Sequence, residues 1–331
     1  MPEWADDRFA LGPQQPRTAP AVPEQRPRDR QGPEALREAG LFARFAALGA
    51  RDAGTVLPGR YADDATPGRL RNHELIVDHA RRLAARLAEI RAAGDAPLVI
   101  GGDCSLIVGA GLALRSGSGS GAGSESGSGS EFGSESGSGS GEQTGARHGL
   151  VHLDGHTDFR NPGNSDRCAA LAGEDLAAAI GRHWPSIADL DGLGPYFRPE
   201  DTVHAGCRDD DEELPEVREA VALVLRASDL IDDGARAAAS ILAHVGRPEL
   251  AGYWLHLDVD ILDPEVLPAV DSPSPGGLSA AQLTDLLAAL APGAVGAQVT
   301  VFDPDLDPDG RYAAVLTEIL VTGLADLGRD V

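Results

Sequence analysis

The stretch HGLVHLDGHTDF, residues 148–159, begins as an apolar run and ends in acid, imidazole and acid. Asp154, His156 and Asp158 follow one another at intervals of two. Side chains two apart on an extended chain share a side, so strand geometry carried through them would present all three together. A short apolar run closed by polar groups suits a buried parallel strand. In open α/β sheets, ligands sit beyond the carboxyl ends of such strands.

Other runs have the same form. VIGGDCS (99–105) ends in Asp103 and Cys104, WLHLDVD (254–260) in Asp258 and Asp260, and VTVFDPDLD (299–307) in Asp303 and Asp305. DTVHAGC (201–207) reads as a further strand. Amphipathic segments lie between and around them. Residues 33–49, 68–94, 105–115, 173–184, 215–226, 234–246, 279–292 and 311–328 read as helices from apolar positions three and four apart. Strands alternating with helices predict an α/β domain with a mostly parallel sheet covered on both faces.

Domain organisation follows from composition. Residues 1–32 are rich in Pro, Arg and Gln and are expected to be irregular. Residues 116–147 hold a Gly/Ser tract with scattered glutamate, which has no apolar area to offset ordering entropy and is expected to be a disordered insertion. Loop closure costs little more as a loop lengthens, so residues 33–331 are taken as one domain interrupted there.

The chain has 331 residues, 42% of them apolar, with 52 acidic against 28 basic residues and a net charge of −24. That balance argues against nucleic-acid or anionic-membrane partners and suits a small cationic substrate. Three cysteines without a repeated spacing make no disulfide framework. No signal peptide and no apolar run long enough for a membrane span is legible, so a reducing, cytoplasmic setting is expected.

Carboxylates converging on one sheet edge repel strongly without a cation. Divalent metal is the economical solution, and several acids with one imidazole suit two ions sharing carboxylates. A donor set of oxygen with a nitrogen fits Mn²⁺ better than a structural zinc site. Such ions lower the pKa of water and would make the strand ends a hydrolytic centre.

GGDCS (101–105), DGHTD (154–158) and DVDILDPEVLPAVDSPSPGGLS (258–279) together resemble the arginase/agmatinase (ureohydrolase) family, whose pattern is G-G-D-H-S, then D-x-H-x-D, then D-x-D-x-x-D-P with a later G-G-L. The resemblance implies a three-layer α/β/α fold around a mostly parallel eight-stranded sheet. It also implies two Mn²⁺ ions, hydrolysis of a guanidino or amidino C–N bond with release of urea or a substituted urea, and a trimer or hexamer. By position, Asp154 and Asp258 would bridge both ions, His156 and Asp260 would complete one site, and Cys104 and Asp158 the other. Asp158 and Asp260 are the catalytic candidates among them. Asp211, in CRDDDEE (207–213), aligns with a family aspartate that holds a substrate amino group, although a solvated acid before a helix is the alternative.

The sequence also departs from the family. Cys104 stands where the family has a ligand histidine, and a thiolate is softer, so that site is expected to be weak or to hold Zn²⁺ or Fe²⁺. Ala172 falls where arginases have a proton-moving histidine, and Cys168 and Ala170 fall where they read the amino-acid end of arginine. Val301 falls where they have a glutamate for the guanidinium, which Asp303 or Asp305 could replace. The expected substrate is therefore a guanidino compound other than plain L-arginine. An inactive metal-binding protein of this fold, or a hydrolase of formimino or amide groups, stays open. His256 shares a strand side with Asp258 and is read, with His204 and Cys207, as a core residue.

Overall fold

The computed structural model describes residues 32–62, 64, 66–117 and 146–331. Its strands are β1 (Leu98–Ile100), β2 (Arg147–Leu153), β3 (Thr202–Ala205), β4 (Leu223–Leu225), β5 (Leu250–Asp258) and β6 (Ala294–Thr300). They form one sheet in the order β1-β6-β5-β2-β3-β4, and every pairing is parallel. The chain leaves β2 toward β3 on one side and β5 toward β6 on the other. The topological switch point therefore lies between β2 and β5, where α/β sheets place their ligands.

Helices α1 (Gly32–Glu38), α2 (Leu41–Ala47), α3 (His73–Ala92), α4 (Leu106–Ser116), α5 (Asp175–Ala179), α6 (Pro185–Ala188) and α7 (Leu214–Ala220) are followed by α8 (Ala227–Asp232), α9 (Gly234–Val245), α10 (Ala280–Leu290) and α11 (Arg311–Gly323). Strand alternation sorts the core into two. Val151, Leu153, Leu255 and Leu257 meet α1, α2 and α9–α11 on one face. Leu150 and Trp254 meet α3–α7 on the other. The result is the three-layer α/β/α class with a parallel sheet. No described helix is long and apolar enough to cross a membrane.

Several elements differ from the sequence reading. The expected eight strands are six among the described residues. Residues 51–62 run beside the edge strand β1 without becoming a strand. Gly54, at φ 82°, turns the chain there, and Pro58 offers no N–H. A cavity of about 1420 Å³ opens along that edge, lined by Leu98, Val99, Ile100 and the 49–59 stretch. The helix expected over 33–49 is two, broken at Gly40 with φ 91°. The helix expected over 68–94 begins at His73, after Asn72 in the left-handed region. The helix expected over 215–226 ends at Ala220 and gives way to β4, because three apolar residues alone do not tell strand from helix. The helix expected over 173–184 is a single short one, Asp175–Ala179.

Gly32, the last residue of the expected irregular segment, begins α1. Arg147, the last of the expected insertion, already belongs to β2 through its pairing with Leu250. Ser116, the first residue of the expected insertion, ends α4, and apart from Gly117 and Ala146 the rest of those expectations falls on residues 1–31 and 118–145, outside the described residues.

Candidate metal centre

One face of the central strands changes character along their length. On β2 the residues toward α3–α5 are Leu150 and then His152, and Asp154 stands just past the strand end on the same side; on β5 they are Trp254, His256 and Asp258. A dry apolar floor is thus followed by a layer of imidazole and then by carboxylates at the carboxyl ends. Asp154, Asp258 and Asp260 are each at most 3% exposed.

The loops fix these acids by backbone donation. The His156 N–H donates to Asp154 Oδ1 at 2.7 Å and the Asp260 N–H to Asp258 Oδ1 at 2.8 Å. Gly155 N–H donates to Asp260 Oδ1 at 3.0 Å. A Cβ at Gly155 would stand 2.6 Å from the Asp260 carbonyl oxygen, so only glycine lets the loops after β2 and β5 approach this closely. Asp158 lies in the left-handed region at φ 46°.

Three groups of close donor atoms contain Asp154; one pairs it with His152 and His256 beneath the site, and two lie at the strand ends. Cys104, Asp154 and Asp158 offer atoms within 4.8 Å of one another, and so do Asp154, His156 and Asp260. Asp154 belongs to both of these. His156 Nδ1 lies 2.9 Å from Asp260 Oδ2 and 3.9 Å from Asp154 Oδ1. Asp258 joins the first group through Cys104, whose thiol donates to Asp258 Oδ2 at 3.1 Å and lies 3.2 Å from Thr300 Oγ1. Ligands about 2.1–2.3 Å from one ion stand about 3 Å apart at right angles, so these separations suit a shared metal. Asp154 Oδ2 is buried with no hydrogen-bond partner, as a carboxylate arranged for a cation would be.

Metal-free electrostatics points the same way. Burial, then mutual repulsion, pushes Asp154, Asp158 and Asp258 well above their ordinary 3.8. Burial and the Asp258 charge push the Cys104 thiol up. Burial alone would lower His156, but Asp260 outweighs it and raises it to about 9. In the same pair Asp260 is pulled down, the His156 charge overcoming its burial. The residues fit divalent metal, which would replace the protons this cluster otherwise holds.

The other candidates are elsewhere or otherwise engaged. Asp211 accepts from the Thr157 hydroxyl at 2.6 Å, the Thr157 N–H at 3.0 Å and the Glu213 N–H at 3.0 Å, so it buttresses the loop after β2. Asp303 is buried and caps its own turn through the Asp305 N–H at 2.9 Å, while Asp305 is exposed. Neither shares a donor group with Asp154. Ala172 sits in a short 3₁₀ turn, Leu171–Gly173. Cys207 is a core residue, as read. His256 and His204 are buried but only half satisfied, since Nε2 of each lacks a partner.

Two residues escaped the sequence reading. Asp175, the first residue of α5, is fully buried beside this cluster, with Oδ1 unpartnered and Oδ2 3.3 Å from His152 Nε2. Its place in GEDLAAAIG looks like ordinary acid at a helix start, and only the fold brings it under the strand ends. Arg208 is 6% exposed and donates to the carbonyls of Gly206, Asp260, Leu262, Ser274 and Pro275, pinning the Asp260 loop. An arginine within an acidic run reads as solvated, which hid it.

The Arginase family profile matches residues 21–325. An arginase of Brevibacillus brevis is 27% identical over 311 residues, which is 89% of this chain and 91% of its own. An N(omega)-hydroxy-L-arginine amidinohydrolase of Streptomyces lavendulae is 32% identical over 168 residues, 50% of this chain and 55% of its own. The solved structure of the Bacillus caldovelox arginase aligns with a TM-score of 0.74 at 25% identity, over 90% of this chain and 92% of that one.

Proposed function

The chain belongs to the arginase family, and on that premise we propose that it is a two-metal amidinohydrolase acting on a guanidino C–N bond. The observation that carries the reading is Asp154, common to two donor groups at the switch point of the sheet. Asp154 and Asp258 would be shared between the ions, with His156 and Asp260 holding one half-site and Cys104 and Asp158 the other. Divalent ions held there, Mn²⁺ by the family's habit with Zn²⁺ or Fe²⁺ favoured beside the thiolate, supply activated water and charge stabilisation. Asp158 and Asp260 orient that chemistry, the Asp260 carboxylate being fixed by the Gly155 N–H. The surrounding acids attract a guanidinium.

The substrate is a guanidino compound that lacks the α-amino acid end of arginine. Cys168 is buried and Ala170 offers only its backbone N–H, already donated to Glu174 at 3.2 Å. No hydroxyl or amide side chain stands at these positions to read an α-carboxylate. The protein is taken to work in the cytoplasm as a trimer or hexamer, and its cysteines are unpaired. Metal analysis followed by a urea-release screen over guanidino amines and guanidino acids, with Mn²⁺, Zn²⁺ and Fe²⁺ each supplied, tests the proposal. Turnover of guanidino amines or acids ahead of L-arginine supports it. Two bound ions without turnover of any substrate would favour the inactive metal-binding reading, which Ala172 and Val301 motivate by leaving out the family's proton-moving histidine and guanidinium-pairing glutamate.

A further inference from the structure

Beneath the candidate centre lies a layer of polar side chains that the reading above does not use. His152, His204 and His256 stand in register on adjacent strands. His152 and His256 stack with ring centroids 4.5 Å apart, and His152 Nδ1 lies 3.0 Å from His204 Nδ1. The hydrogen-bond chain fixes their tautomers. The Trp254 indole N–H donates to Gln298 Oε1 at 3.0 Å, which orients that amide so that its Nε2 donates to His256 Nδ1 at 2.7 Å. His256 therefore carries its proton on Nε2 and has no lone pair to give a metal, although it lies close to Cys104 and Asp175. His152 presents an N–H to Asp175 Oδ2 at 3.3 Å, which requires His204 to donate to His152 Nδ1.

Asp175 is thus held from behind by the His152 imidazole. Its Oδ1 is fully buried and unpartnered. Its carboxylate comes within 4.8 Å of Cys104 Sγ, and it is in contact with the carboxyl of Asp158. Two carboxylates in contact in a dry interior require a cation or a shared proton between them.

We propose that Asp175 is an additional metal ligand at the half-site of Cys104 and Asp158, supplying there an oxygen donor where the family motif would have imidazole, and that His152 positions it. This inference rests on the two-metal reading. The half-site then offers one sulfur and carboxylate oxygens, a set with no nitrogen, while the half-site of His156 and Asp260 keeps its imidazole.

Co²⁺ titration of the chelated protein, followed by calorimetry and absorption, tests it. Cys104 is the only cysteine at the cluster, and in a Cys168→Ser background, which removes the sulfur of the separate group Cys168, Glu174 and His183, the thiolate-to-cobalt charge-transfer band reports its half-site. Wild type should take up two equivalents. In Asp175→Asn, the equivalent that carries the band should weaken by at least about tenfold, the scale of lost ligand support, while the other is unchanged. Unaltered affinities and an unaltered band would overturn the proposal while leaving the two-metal reading intact. Wild type that binds no metal would remove both. Should Asp175→Asn fail to fold, a crystal structure of the Co²⁺-loaded wild type decides. An Asp175 oxygen about 2.0–2.2 Å from the ion supports ligation, and one beyond bonding distance refutes it.

Discussion

The two faces of β2 and β5 are built from the same alternation and do opposite things. Toward α9–α11 the side chains are Val151, Leu153, Leu255 and Leu257, all buried and all apolar. Toward α3–α5 they are His152, Asp154, His256 and Asp258, equally buried and with several atoms unpartnered. The first face lowers the free energy by removing apolar area from water. The second raises it, because burying a charge costs more than any hydrogen bond here returns. A chain tolerates such a face where something absent from the unfolded state, a metal ion, binds there on folding. Stability and function are therefore separated by a single residue's step along each strand.

The sharpest way to break this contrast is Asp258→Ala. Loss of a shared carboxylate should remove most bound metal and lower any urea release by at least about 10³-fold, since a metal contributes several kcal/mol to such chemistry. Retention of both ions by elemental analysis would refute the bridging role. One residue earlier, Leu257→Ala on the other face should cost about 2–5 kcal/mol in denaturant unfolding. Its metal stoichiometry should stay at the wild-type value; a lost ion would mean that the faces are not independent. Arg208→Met should cost about 1–3 kcal/mol by orphaning buried carbonyls. It should also weaken metal at the half-site of Asp260, read by calorimetry, more than at that of Cys104.

The pH response tests the polar face alone. In chelated protein, Asp154, Asp158, Asp175 and Asp258 bind protons more tightly folded than unfolded, so their contribution is complete below 3.8 and is lost as pH rises through their raised folded values. His156 has the same sign, its contribution complete below 6.5 and lost through about 9. Asp260, held down, opposes them only as pH falls through the carboxylate range. The Tm gap between metal-loaded and metal-free protein should widen from about pH 5 to about pH 9 as protons stop competing with metal. A constant gap would argue against protons and metal sharing these groups. The smallest effect concerns the rim. Val301 sits at φ 73°, a costly place for a β-branched residue. Val301→Gly should raise stability by about 0.5–1 kcal/mol after the entropic cost of glycine, seen as a modest rise in Tm.

Much of the polar face was legible because strands have a period of two. That period places His152, Asp154, His256 and Asp258 on one side, but it does not carry on through DGHTD and DVD: β2 ends at Leu153, Asp158 is left-handed at φ 46° and Asp260 lies in the 3₁₀ turn Val259–Ile261, so His156, Asp158 and Asp260 reach the site through loops rather than by strand alternation. β4 was not legible. Its three residues lie in a segment whose apolar spacing also suits a helix, and only pairing with β3 decides between them. Gly40 is an ordinary helix residue on paper and a left-handed break in the chain. Asp211 looked like a substrate contact or a solvated acid and is instead fastened to Thr157.

By itself the sequence determined the α/β class, the strand ends that matter and the acids and histidine gathered there, because periodicity and apolar runs are local properties. Tertiary structure alone decided that Asp154 belongs to two donor groups at the strand ends, that Arg208 braces the loop of Asp260 and that Asp175 lies beneath the site. Those facts depend on which strands become neighbours and where a helix starts relative to the sheet. Contacts between residues far apart in sequence are set by the packing of the whole chain, and no local pattern records them.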